Sequence, residues 1–268
     1  MIQFENVRRT YGDKVAVAGL SLEIPTGELF AFLGPNGAGK TTTIKMIVGL
    51  LRPSSGTVRL CGHDVVADSR LANQLLGYVP DQPHLYDKLT GREFLQFIAD
   101  MYGLAPHRGE RQIAEAVANF DLEPFADDLT ESYSHGMKQR IAFAAAMLHE
   151  PAVLVIDEPM VGLDPRSVRM LKDLLRSKAR AGATIFMSTH MLSVAEEIAD
   201  RVGIVDQGTL RFVGTMPELH KHLEEQGTSL EQFYLELTGG SELSDITAAL
   251  TATPLPGEPS IPSQGTPS

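Results

Sequence analysis

The stretch Gly34-Pro35-Asn36-Gly37-Ala38-Gly39-Lys40-Thr41-Thr42 leaves this chain few folds to choose from. Gly34 and Gly39 bracket four residues and are followed by Lys and Thr, the pattern of a loop that cradles phosphate. Directly before it runs Leu29-Phe30-Ala31-Phe32-Leu33, apolar at every position. A strand with no polar face has to be covered on both sides, as in a parallel sheet flanked by helices. Directly after it, about 40–50 reads as a helix. Strand, glycine loop and helix in that order bring free backbone N–H groups and the positive end of a helix dipole to one point. On this reading Lys40 reaches the β- and γ-phosphates, and the Thr41 hydroxyl binds Mg²⁺.

A second apolar segment, Val153–Ile156, runs into Asp157-Glu158. A carboxylate at the C-terminal end of a buried strand stands beside whatever the neighbouring loops bind. Asp157 is placed to hold Mg²⁺ through water. Glu158, one step on, is placed to orient and polarise an attacking water. Alone, such a run is as often a strand leaving the core; paired with the phosphate loop it reads as the other half of a nucleotide site.

The rest of the chain supplies the frame. Short apolar segments punctuated by Gly12, Gly19, Pro25 and Gly27 make residues 2–33 strand-rich. Pro53-Ser54-Ser55-Gly56 is a turn ahead of a strand at 57–60. Thr90-Gly91-Arg92-Glu93 has the spacing of a capping box, followed by Leu95, Ile98 and Tyr102 at helical intervals. Further helices fit 111–120 and 136–150. After Pro151 the elements alternate: a strand at 153–156, then a helix opened by Asp164-Pro165 and stopped at Gly182. A strand at 184–187, a helix at 191–199 and a strand at 203–205 follow, the last with a turn at 206–209. Capping boxes at Thr215–Glu218 and Thr228–Glu231 open two short helices. Thr251–Ser268 is rich in Pro, Ser, Thr and Gly and reads as a disordered tail.

Bulk properties exclude several classes. With 268 residues, 43% of them hydrophobic, the composition is that of a globular protein with a sizeable core. A net charge of −11 argues against an extended nucleic-acid surface. Cys61 is the single cysteine, which allows neither an internal disulfide nor a cysteine metal cluster and suits a reducing cytosol. The first residues show no basic region followed by an apolar core, so no secretion signal is expected. The longest uninterrupted apolar run, Ile141–Leu148, is far short of the roughly twenty residues of a spanning helix. Any membrane-crossing part is therefore expected on another polypeptide.

Four further features carry a family resemblance. Ser134-His135-Gly136-Met137-Lys138-Gln139-Arg140 opens a helix, with Ser134 standing 23 residues ahead of Asp157. Gly162-Leu163-Asp164 follows the Asp-Glu pair, and Thr189-His190 ends a strand. Tyr11-Gly12 precedes the loop, Tyr11 standing 23 residues ahead of Gly34. From Phe4 to about Gly214 the chain resembles the ATP-binding subunits of ABC transporters. The resemblance implies an α/β fold: a P-loop NTPase core with a mainly parallel sheet, an N-terminal antiparallel β subdomain and an α-helical signature subdomain over about 85–150. It implies an ATP-binding domain over 1–238, with a short helical extension at about 215–238 and a disordered 239–268.

The resemblance also assigns roles. Tyr11 is similar to the aromatic that stacks on adenine, and Gly34–Thr42 to the loop that holds the phosphates of ATP with Mg²⁺. Lys40, Glu158 and His190 match the catalytic positions, His190 resembling the histidine that contacts the γ-phosphate and links it to Glu158. Ser134 and Gly136 match signature positions that meet the γ-phosphate bound by the opposite subunit, and Asp164 the aspartate that crosses the dimer interface. Two motifs depart from the family pattern. Tyr133-Ser134-His135-Gly136-Met137 stands for Leu-Ser-Gly-Gly-Gln, so Met137 replaces the glutamine of a ribose contact. Tyr78-Val79-Pro80-Asp81 carries an acid where glutamine is usual, with Gln82 one place later, and either Asp81 or Gln82 takes the switch role beside Mg²⁺. His63, His84, His107, His149, His220 and His222 read as ordinary histidines, and the acidic run from Asp121 to Glu131 as a solvated face.

The implied working unit is a homodimer or paralogous heterodimer around two MgATP, on the cytoplasmic face of a membrane, driving a separate permease. Pro80-Asp81, Leu85–Thr90 and the helical extension resemble the subfamily paired with ABC-2-type permeases, usually exporters. The alternative is a soluble ABC ATPase in ribosome or DNA maintenance. One loop-and-carboxylate set, no heptad insert and an acidic balance weigh against that alternative, and no nucleic-acid partner is expected.

Overall fold

The computed structural model describes residues 1–160, 162–225 and 227. In chain order its elements begin with β1 (Ile2–Tyr11), β2 (Lys14–Ile24), β3 (Leu29–Leu33), α1 (Lys40–Ile47), β4 (Ser55–Leu60), β5 (His63–Asp64), α2 (Ser69–Gln74) and β6 (Leu76–Val79). A helical segment follows: α3 (Gly91–Met101), α4 (Pro106–Asn119) and α5 (His135–Met147). The chain then continues through β7 (Val153–Asp157), α6 (Pro165–Arg180), β8 (Thr184–Thr189), α7 (Leu192–Ile198), β9 (Arg201–Asp206), β10 (Thr209–Gly214) and α8 (Met216–Glu225).

β3 has all five residues buried, as its uniformly apolar composition requires. It lies inside a six-stranded sheet of order β10-β9-β3-β8-β7-β6, parallel except for the antiparallel edge strand β10. A second sheet, β2-β1-β4-β5, is antiparallel throughout. The two meet around Phe186 of β8, whose ring centroid lies 6.3 Å from Phe4, 6.0 Å from Phe30 and 5.3 Å from Phe32. Truncating so central an aromatic to alanine costs about 3–5 kcal/mol.

The helical segment shares one core with the six-stranded sheet, in which Leu95, Ile113, Phe120, Leu122, Phe143 and Leu148 are buried with Leu33, Leu154 and Met187. Thr90 and Glu93 make the expected capping box reciprocally, which is worth about 1 kcal/mol. Helix α4 starts at Pro106, five residues before the sequence expectation, because Pro106 takes the first helical position, where its missing N–H costs nothing. Helix α5 ends at Met147 and not at 150, and Glu150 sits at φ +54, outside helical geometry. Helix α1 stops at Ile47, followed by Gly49 at φ +73, a left-handed terminus.

Of the two capping boxes expected after Gly214, Thr215–Glu218 opens α8, with Thr215 Oγ1 accepting from the Glu218 amide and Glu218 Oε2 from the Thr215 amide. The box at Thr228–Glu231 and the stretch 239–268 lie outside the described residues. No described helix is long and apolar enough to cross a membrane. The acidic run is a surface: Asp127 pairs with Arg92 and Glu131 with Lys88, all four exposed or half-buried.

Candidate functional site

The phosphate loop keeps its shape because two of its glycines sit where no side chain fits. A Cβ at Gly34 would stand 2.3 Å from the Val205 carbonyl oxygen of β9. Gly39 has φ +108, and a Cβ there would stand 2.5 Å from the Ala16 carbonyl oxygen of β2. Gly208, in the β9–β10 turn, clamps the arrangement: its N–H donates to the Ala38 carbonyl at 2.9 Å and its carbonyl accepts from the Ala18 N–H at 2.8 Å. The loop is thereby held between the antiparallel sheet and one end of the parallel one.

Lys40 folds back over this loop. Its ammonium donates to the carbonyls of Gly34 at 2.6 Å and Pro35 at 3.3 Å and lies 3.6 Å from Glu158 Oε1. Three acceptors pull one buried cation toward the spot where a phosphate would sit.

Asp157 ends β7 and is buried. Its Oδ1 accepts from the Ser188 hydroxyl at 2.5 Å, and the Thr41 side chain bonds the same carboxylate. Burial pushes its pKa up, Glu158 and Asp81 push further, and the Ser188 and Thr41 bonds only partly oppose this. The hydroxyl of half-buried Tyr78, near Asp157 and Asp81, is driven up to about 12, chiefly by desolvation. This end of the cleft therefore carries negative potential that a divalent cation would relieve. Among the described residues no three His, Cys, Asp or Glu side chains converge on one metal position. Thr41, Asp157 and Asp81 with phosphate oxygens make the kind of mixed donor set Mg²⁺ accepts, so the residues present fit the ion.

Glu158 stands in the turn after β7 at φ +47, a left-handed conformation uncommon outside glycine. Burial would raise its carboxyl, but the hydrogen bond and charge of His190, with Lys40, outweigh it and hold it below the usual range. Oε2 lies 2.9 Å from His190 Nδ1 and accepts from the His190 N–H at 3.4 Å. At neutral pH the group is an oriented carboxylate.

A single cleft of about 410 Å³ joins these parts. Tyr11, Pro35, Asn36, Gly37, Gly39, Lys40, Thr41, Thr42, Asp81, Asp157 and Glu158 line it, together with Lys14 and Ala16. Gly34 and Ala38 are buried beneath the loop. Asp81 reaches the cleft, whereas Gln82 is exposed and does not line it. His190 stands behind Glu158. Lys14 and Ala16 carry no motif; they arrive because β2 runs past the loop, which only the strand register determines.

Besides Gly34, Ala38, Gln82 and His190, the expected site residues Ser134, Gly136 and Asp164 do not line the cleft. Ser134 is exposed and caps α5, its hydroxyl accepting from the Met137 N–H at 3.4 Å. Asp164 is exposed and caps α6, accepting from the N–H groups of Arg166 and Ser167, each at 3.0 Å. Gly136 lies beside Gly162: a Cβ on it would stand 3.8 Å from the Gly162 carbonyl oxygen. The signature segment and the Asp164 loop thus form one surface, separate from the phosphate loop.

Residues 17–161, more than half the chain, match the family described as ABC transporter. This chain belongs to the ABC transporter family. As an ABC chain it is similar to the linearmycin resistance ATP-binding protein LnrL of Bacillus subtilis, at 39% identity over 223 residues, 83% of this chain and 72% of LnrL. It is 41% identical to the Nod factor export ATP-binding protein I of Burkholderia orbicola over 207 residues, 77% of this chain and 68% of that one. A solved ATP binding subunit of an ABC transporter superposes with a TM-score of 0.83 at 32% identity, covering 89% of this chain and 99% of its own. A dimeric ATP-binding cassette in a post-hydrolysis state, bound to ADP and Pi, superposes at 0.71 with 25% identity, over 81% and 99% of the two chains. The ABC chain is an ATP-hydrolysing transporter subunit, with the α/β core and antiparallel β sheet its sequence implied.

Proposed function

We propose that this chain closes, with a second copy or a paralogue, around two MgATP and drives a separate membrane permease from the cytoplasmic face, in the direction of export. One observation carries the dimer: the cleft is complete on its phosphate side, while Ser134, Gly136 and Asp164 face outward from the same chain and leave its γ-phosphate side open. A second subunit turned head to tail brings the missing groups. The related dimeric cassette with ADP and Pi supports this arrangement, and relatives named for export and for resistance support the direction.

Each residue then has a task. Tyr11, exposed at the cleft mouth, stacks on adenine. The amides of the Gly34–Thr42 loop and Lys40, exchanging the Gly34 and Pro35 carbonyls for phosphate oxygens, hold the β- and γ-phosphates. Thr41, Asp157 and Asp81 hold Mg²⁺, which when bound neutralises charge developing on the transferred phosphoryl group. Glu158 accepts a hydrogen bond from the attacking water and fixes its line of approach. His190 steadies Glu158 and reaches toward the γ-phosphate, and Ser134 of the partner subunit meets that phosphate from the other side.

The route to the permease starts beside Asp81. A groove of about 350 Å³, lined by residues including Pro83, Leu85, Phe94, Ile98 and Tyr102, opens between the sheet and the helical segment. Tyr86, 58% exposed, stands near it with its ring edge-on to Phe97. A cytoplasmic helix of the permease seats there, next to the residue that senses the nucleotide.

The test is the oligomeric state of Glu158→Gln by light scattering with and without MgATP. A nucleotide-dependent dimer supports the reading. A monomer at saturating MgATP, with wild-type turnover per chain independent of protein concentration, overturns it.

A further inference from the structure

Ser188 is a fully buried residue of β8, paired in register with Asp157 on the adjacent strand. Its hydroxyl oxygen lies 2.5 Å from Asp157 Oδ1 and 3.2 Å from the Glu158 amide nitrogen. The amide has only a proton to give and an ionised carboxylate only lone pairs to offer. The Ser188 proton therefore points at Asp157, while its oxygen accepts from Glu158. The Ser188 carbonyl takes the same Glu158 N–H at 3.2 Å. One residue thus sets the rotation of Asp157 and anchors the backbone of Glu158, whose φ of +47 persists only where surroundings impose it.

Packing gives no reason for a hydroxyl here. The preceding residues of β8, Ile185, Phe186 and Met187, are apolar and fully buried, and a buried hydroxyl is unfavourable unless it is bonded. Alanine would fill the same layer of the sheet.

We infer that Ser188 is a positioning residue for ATP hydrolysis, its hydroxyl fixing the angle between the Asp157 carboxylate and the Glu158 turn. The inference rests on the roles proposed above for those two residues. With Oδ1 committed to Ser188, Asp157 presents its remaining lone pairs to the cleft. With its N–H anchored, Glu158 keeps its carboxylate between Lys40 and His190. Removing the hydroxyl releases Asp157 Oδ1 and leaves the Glu158 N–H with the Ser188 carbonyl alone. Ser188 is fully buried, does not line the cleft and acts through its neighbours alone.

The experiment compares Ser188→Ala, Ser188→Thr and Ser188→Cys in the full chain. Threonine keeps the hydroxyl, whereas cysteine keeps the volume but donates weakly. The readouts are kcat and KM for ATP, binding of a fluorescent ATP analogue in EDTA, and Mn²⁺ binding with ADP present by electron paramagnetic resonance. Alanine and cysteine should lower kcat by about 10–100-fold and weaken Mn²⁺ by about tenfold, the scale of lost outer-sphere partners. Metal-free analogue binding should stay within about twofold, and threonine should recover most of the loss. Wild-type kcat and Mn²⁺ affinity in Ser188→Ala overturn the inference, as does a loss of metal-free binding that parallels the loss of kcat. If alanine does not fold, the threonine–cysteine pair decides, and equal turnover in the two overturns it. Asp157→Asn and Glu158→Gln run beside them. If those two keep wild-type turnover, the proposed site roles fall; if they are inactive while Ser188→Ala is normal, only the positioning role falls.

Discussion

His190 Nδ1 lies 2.9 Å from Glu158 Oε2, and the imidazole is the main influence holding that half-buried carboxyl down against its desolvation. Glu158→Gln should keep nucleotide binding and lower turnover by about 10²–10⁴-fold, the range of a lost general base. Phosphate release under saturating MgATP measures it. His190→Ala should shift the acid limb of the kcat profile upward in pH, because burial then acts on Glu158 with less opposition. The sign follows from the lowered carboxyl: its ionised form is present above the ordinary carboxylate range and is lost only as pH falls through the depressed value. A limb that moves down, or stays, contradicts the pairing.

Ser134→Arg should separate two roles. In its own chain the hydroxyl caps α5, so the variant loses about 1 kcal/mol of stability. ATP affinity measured on dilute monomer should be unchanged, since Ser134 does not line that chain's cleft. Hydrolysis at dimer-forming concentrations should be abolished. A large loss of monomer affinity would place Ser134 in the cis site.

His149 predicts an acid sensitivity unrelated to catalysis. Its ring stacks on Tyr102 at 3.7 Å, its Nε2 meets the Leu76 carbonyl at 3.1 Å, and its buried Nδ1 has no partner among the described residues. Burial pushes its pKa down to about 4, the Leu76 bond opposing only partly. The unfolded chain takes up a proton near pH 6.5 that the folded chain refuses until about 4. Stability therefore falls across that window as pH drops, by about 2 kcal/mol given the ring's partial exposure. His149→Phe keeps a stacking ring and should flatten this fall in urea titrations at successive pH values; an unchanged slope would exclude His149 as its source.

Tyr86→Ala should leave basal ATPase and melting temperature close to wild type, because the ring is 58% exposed and its loop is held by other bonds, such as Thr130 Oγ1 donating to the Tyr86 carbonyl at 2.8 Å. Co-purification with the permease from membranes should drop by an order of magnitude or more if the ring anchors the docked helix. Retention at wild-type levels removes Tyr86 from that interface.

Much of this site was readable because its parts are local. An apolar pentapeptide, a glycine pattern and an Asp-Glu pair each lie within one short segment, and their geometry follows from backbone constraints alone. The caps at Thr90, Asp164 and Thr215 were readable for the same reason. Harder were residues whose role depends on register between distant strands. Ser188 looks like a small polar interruption of β8 until it is seen opposite Asp157, and Lys14 and Ala16 reach the cleft only through the path of β2. The choice between Asp81 and Gln82 turns on which way the chain leaves β6, something no motif encodes. The start of α4 was missed because its first turn, Pro106-His107-Arg108-Gly109, has no apolar periodicity, although Pro106 itself was the available signal.

On the role proposed for Glu158, its left-handed backbone sets local strain and turnover against each other at one position. A glycine at 158 would relax the turn by general backbone preference, but it would also remove the carboxylate paired with Lys40 and His190 and, with it, the group proposed to orient the water. A deep scan scored by folding and rescored by ATP turnover should show position 158 as the place where the two rankings diverge most.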